Sequence, residues 1–92
     1  MDEIDINKMV NELNDKFRQV YSLMPFVKLL HNEKISQECK VLSNVYAILM
    51  QSIQLGNKRR MITYAVYLDY MLENILQQKQ NIADSINKYM LS

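Results

Sequence analysis

The chain of 92 residues contains one proline, Pro25, and one glycine, Gly56. These are the residue types that most strongly interrupt helices, proline by lacking a backbone donor and glycine by the entropy it loses when ordered. A chain punctuated at only two positions is confined to a few long helices, provided that its apolar residues recur at helical spacing. They do so in three successive stretches.

In the first stretch Ile6, Val10, Leu13, Phe17, Val20, Met24 and Val27 alternate steps of four and three, which is one stripe along a helix. Pro25 crowds the carbonyl four residues back, at Tyr21, so a break is expected near Met24, with Pro25 opening a short extra helix that reaches His31. The second stripe is Ile35, Cys39, Leu42, Tyr46, Leu49 and Ile53, flanked by Val41, Val45, Ile48 and Leu55. So broad an apolar face suits a helix packed against two others. Gly56 tolerates the left-handed conformation that closes helices, and Asn57 is a suitable cap for the next. The third stripe is Met61, Ala65, Leu68, Leu72, Ile75, Lys79, Ile82, Ile86 and Tyr89, coiled-coil-like heptads with one polar member.

The expected fold is therefore all-α: a single helical domain over residues 1–92 forming an elongated antiparallel three-helix bundle. Its helices are expected at about 5–23, 25–31, 33–55 and 58–90, the first being broken at Pro25. At 1.5 Å per residue the long C-terminal helix would measure about 50 Å against about 35 Å for the second, so roughly ten residues should overhang.

Charge and rare residues narrow the function. A net charge of +1 gives no global attraction to nucleic acid or an acidic membrane surface. One cysteine, Cys39, provides no internal disulfide, and a lone histidine, His31, removes most metal and triad schemes. Cys39 lies on the stripe of the second helix, where a thiol acts as a small hydrophobe, and His31 stands at a helix end, where a cation is favoured. Asp69 and Glu73 share a helix face, but they fall beside Tyr70 and Asn74 on the expected outer arc, as members of a solvated face. A single glycine cannot build a phosphate-cradling loop. An enzyme, a cofactor, a metal and a small-molecule substrate are all unexpected. The apolar runs are too short to span a bilayer, and "MDEIDINK" lacks the layout of a signal peptide, so the expected setting is intracellular and cytoplasmic.

Two features are left as candidate sites. Lys58, Arg59 and Arg60 form the densest basic run, at the Gly56 corner, where an up-down-up topology would bring Asp2, Glu3 and Asp5. A solvated, partly paired corner is the simpler reading of the run, and a nucleic-acid-binding site the alternative, since phosphate binding needs several converging cations. The long helix is apolar around most of its girth, with Tyr64, Tyr67 and Met71 to one side of the seam and Ile62, Val66 and Leu76 to the other. Tyrosine and methionine are enriched at protein interfaces. Tyr64, Tyr67 and Met71, with Ile82, Ile86 and Tyr89 on the overhang, are thus the expected partner-binding or oligomer-interface residues. The expected function is a small non-enzymatic protein–protein interaction module of adaptor, chaperone or inhibitor type, acting as a homodimer through its last helix. A phage- or plasmid-encoded nucleic-acid-associated regulator using the basic corner is the alternative.

Overall fold

The computed structural model describes residues 5–91, and these form an all-α bundle of 53 × 20 × 18 Å. Helix α1 spans Ile6–Val27 and is followed by a 3-10 turn at Lys28–Leu30; α2 spans Glu33–Gln54, α3 Lys58–Leu76 and α4 Lys79–Leu91. The helices are joined by short, well-capped corners. Asp5 caps α1 by accepting from the Lys8 amide at 3.0 Å, and Asn32 caps α2 by accepting from Ile35 at 3.2 Å, just after His31 turns left-handed with φ 52°. At the other end of α2 the Gly56 amide donates to Ile53 at 3.1 Å and the Asn57 amide to Ser52 at 3.0 Å. That paired closure requires φ of +68° at Gly56, which costs glycine no steric clash. Asn57 then caps α3 through the Arg60 amide at 3.1 Å. Connections this short force neighbouring helices to run antiparallel.

The first helix departs from its expected boundary. It continues through Pro25 to Val27, and the short extra helix is the 3-10 turn, beginning at Lys28. Pro25 falls in the last turn, so it removes only the hydrogen bond to the Tyr21 carbonyl, on an exposed turn. Continuing two residues further carries Val27 into the core, and burying a valine side chain contributes about 1.5 kcal/mol or more. Burial outweighs the lost bond.

The last helix also differs from one unbroken rod. At Gln77 and Gln78 the ladder tightens: the Gln78 amide donates to Ile75, three residues back, at 2.9 Å, before regular bonding resumes from Ile82 to Gln78 at 2.8 Å. The chain bends there without reversing. Lys79, the polar member of the stripe, stands at the bend and donates to Gln19 at 3.4 Å. Contacts between the first and last helices advance together along both: Lys16 meets Asp69, Gln19 meets Lys79, and Leu23 and Phe26 lie beside Ile82 and Ile86. Hence α1 runs parallel to α3 and α4, with α2 antiparallel between them in the chain order.

The expected overhang is therefore covered at its base from within the chain, while Tyr89, Met90 and Leu91 at its tip stay exposed. Because α1 passes Pro25 and the 3-10 turn prolongs it, α4 lies against both. Ile82 is 1 % exposed and Ile86 half-buried, in place of the partnerless positions expected from helix lengths alone. The core runs from Leu13, Val20 and Val27 of α1 through Ile35, Leu42, Val45 and Leu49 of α2 to Met61, Ala65, Leu68, Met71, Leu72 and Ile75 of α3. Its buried polar member, Ser52, donates its hydroxyl to the Ile48 carbonyl at 2.7 Å, so no donor is stranded. Phe17 and Tyr46 pack with ring centroids 5.2 Å apart, and the Tyr46 hydroxyl reaches Asn14 Oδ1 at 2.7 Å, holding α1 to α2.

Replacing Ile82 with Ala is expected to cost about 2–4 kcal/mol of stability, as for other buried isoleucines. Chemical unfolding followed by circular dichroism measures this; a residue on a free overhang would lose less than about 0.5 kcal/mol.

Candidate interaction surface

Three helices cannot enclose a fourth side. Helix α3 is flanked by α2 on one side and α1 on another, which leaves an outer arc facing away from both. On that arc Val66 is 65 % exposed, Tyr70 58 % and Tyr67 48 %, with Ile62 also exposed. Ile62, Val66 and Tyr70 follow one another at four-residue steps and form a continuous apolar ridge, with Tyr67 beside it. Thr63 lies on the same exposed side, its hydroxyl turned back to the Arg59 carbonyl at 2.9 Å.

One flank of this ridge is charged. Lys16 reaches across from α1 to place its ammonium 2.6 Å from Asp69 Oδ1 and 2.9 Å from Glu73 Oε1. The hydrogen bonds to Asp69 and then to Glu73 raise the Lys16 pKa above its ordinary 10.5, against a smaller opposing effect of burial. Two carboxylates sharing one cation leave a net negative charge at that end of α3. Asp69 and Glu73, expected on a solvated face, thus help to hold α1 to α3. Beside them a groove between the two helices is lined by Met9, Glu12, Leu13, Ala65 and Val66.

The residues expected to form an interface are spread over three environments. Met71, 1 % exposed, and Ile82 belong to the core. Tyr64 and Ile86 are half-buried and pack against it. Tyr67 and Tyr89 are on the surface, but on different helices and 22 positions apart, so the six do not make one face. Of the basic run, Lys58 and Arg59 are exposed, while Arg60 is half-buried with its guanidinium 6.0 Å from the Tyr64 ring centre. Asp5 is engaged as the α1 cap, and Asp2 and Glu3 lie outside the described residues. Successive side chains diverge by about 100° around a helix, so the three cations form no single row.

Val66 and Tyr70 carry the ridge without belonging to the seam, and neither is among the six residues expected at an interface. Their signal was present in the four-residue spacing from Ile62, one row away from the seam, but it becomes a surface only when the packing of α1 and α2 is known. Elsewhere, Cys39 is half-buried, and burial followed by the nearby Glu38 charge pushes its thiol pKa up, which keeps it protonated and weakly nucleophilic. Among the described residues no three His, Cys, Asp or Glu side chains gather as a metal site, and no helix is long and apolar enough to cross a membrane. Comparison of the chain with protein-family models, with curated proteins and with solved structures found no match.

Lys16→Ala is expected to lower stability by about 0.5–1 kcal/mol at low salt, the loss shrinking as salt rises. Because the folded pKa of Lys16 is raised, its contribution is full below 10.5 and is lost as pH climbs through the folded value. The difference in unfolding free energy between wild type and variant, measured at neutral and at strongly alkaline pH, should therefore be largest at neutral pH. Replacing the exposed Arg59 with Gln should shift stability by no more than about 0.5 kcal/mol in the same assay, whereas Arg60→Gln, which removes the contact with the Tyr64 ring, should cost about 0.5–1 kcal/mol.

Proposed function

We propose that this chain is a small non-enzymatic protein–protein interaction module, of adaptor, chaperone or inhibitor type, which docks its partner on the outer arc of α3. The observation that carries this reading is the ridge Ile62, Val66 and Tyr70 with Tyr67: a continuous run of aliphatic and aromatic surface on the helix that organises the core. Apolar side chains clustered in a row remain in water at a cost that a partner relieves, and tyrosines add rigid area with a polar tip. The arc is built on a helix held from two sides, so docking requires little ordering of the chain and loses little entropy. The reading keeps Tyr67 and moves the rest of the expected interface, which comprised Tyr64 and Met71 beside the seam and Ile82, Ile86 and Tyr89 on the overhang, to the outer arc of α3. An intracellular, cytoplasmic setting suits a chain whose one thiol has no disulfide partner.

Nucleic-acid binding at Lys58, Arg59 and Arg60 has less support. Arg60 is drawn onto Tyr64, and two exposed cations supply few of the phosphate contacts that such affinity needs.

A photoreactive amino acid in place of Val66 tests the docking face in the source cell, with one in place of the exposed Lys40 on α2 as control. A discrete protein-sized adduct from position 66 and none from position 40 is expected. Equal labelling from both positions, or none from position 66, would falsify the assignment of this face.

A further inference from the structure

The charges around the ridge have an order that bears on which partner it takes. Val66 is the midpoint. Ile62 and Tyr70 stand four residues to either side of it, and Arg59 and Glu73 seven residues to either side. At about 100° per residue a step of four returns to within about 40° of the starting direction and a step of seven to within about 20°, so all five share one face. Arg59 is exposed beside Lys58 at the Gly56 end, whereas Glu73, with Asp69, shares the single cation of Lys16 at the other end. The face therefore has an apolar centre, a positive end and a negative end, each end about 10 Å from Val66.

A surface of this kind is complementary to itself reversed. Turned about a two-fold axis through Val66, it meets its own copy with Ile62 against Tyr70, Val66 against Val66, and each Arg59 against the other Glu73. Parallel docking would set like charges together. We infer that the partner of the α3 face is a second copy of this chain, docked antiparallel about a two-fold axis beside Val66, with Arg59 of each copy paired to Glu73 of the other. This rests on the docking-face reading and names its occupant. The interface is isologous, the arrangement used by most homodimers. Its end charges set direction and register more than affinity. A contact limited to one helix face on each side is small against the roughly 1,200 Å² at which stable interfaces begin, so a reversible dimer that depends on concentration is expected.

The test is molar mass by light scattering over a hundredfold range of concentration, on the full chain, with circular dichroism to verify folding. Wild type should pass from monomer to dimer, and Arg59→Glu or Glu73→Arg alone should weaken the dimer by at least tenfold. Mixed in equal amounts, those two variants should recover it, because the mixed dimer pairs the two substituted side chains with each other at one end and the native Arg59 with the native Glu73 at the other. Glu73→Gln, which adds no cation beside Lys16, should weaken the dimer less but in the same direction, and serves if Glu73→Arg does not fold. A wild-type monomer at every concentration would overturn self-pairing while leaving the face to a different protein, which the adduct from position 66 identifies. A dimer indifferent to both charge reversals but broken by Val66→Asp would overturn the antiparallel register and keep the face. One indifferent to Val66→Asp as well would overturn both readings.

Discussion

The apolar seam of α3 and α4 is the interaction on which the remaining structure depends. Every other helix of the bundle lies against some part of it: α2 along α3, the body of α1 along α3, and the last turn of α1 with the 3-10 turn along α4. From Met61 to Ile82 the seam buries seven side chains, counting Met71, which makes it the longest continuous part of the core. With one helix at the centre and only two to cover it, the hydrophobic effect can close the inner half of α3 and no more. The exposed ridge on its outer half follows from the number of helices packed on α3 as much as from residue choice.

Much of this was legible before the structure. The four-three alternations mark the three long helical stretches, and Gly56 with Asn57 marks the corner between the second and third, because periodicity and capping are local properties that the chain carries residue by residue. What was not legible depends on energies summed between segments. Pro25 predicts a helix end by local rule, but the burial of Val27 acts across the bundle and carries the helix onward. The same extension covers Ile82, which looked partnerless only because helix lengths were compared without it.

The candidate surface was legible in part. Tyr67 is exposed, as its place beside the seam suggests, whereas Met71, buried once the neighbouring helices are in place, could not be separated from it by composition. Asp69 and Glu73 looked like solvent-facing acids because the residue that bridges them, Lys16, lies 53 positions before Asp69 in the chain. Ion pairs across such separations leave no periodic trace. The result is a border of fixed charge along one side of the ridge, where a sequence reading places only water.

The bend at Gln77 and Gln78 divides the last helix into unequal parts. Six of the 19 residues of α3 are buried, against one of the 13 in α4, namely Ile82. A segment that buries fewer side chains opens more readily than one that buries more, and the hydrogen-bond ladder is already tightened at the junction. The bundle thus has a densely packed body and an end anchored mainly through Ile82, so amides of α4 are expected to exchange with solvent faster than those of α3. The strength of that anchor is set by the turn of α1 that Pro25 failed to remove.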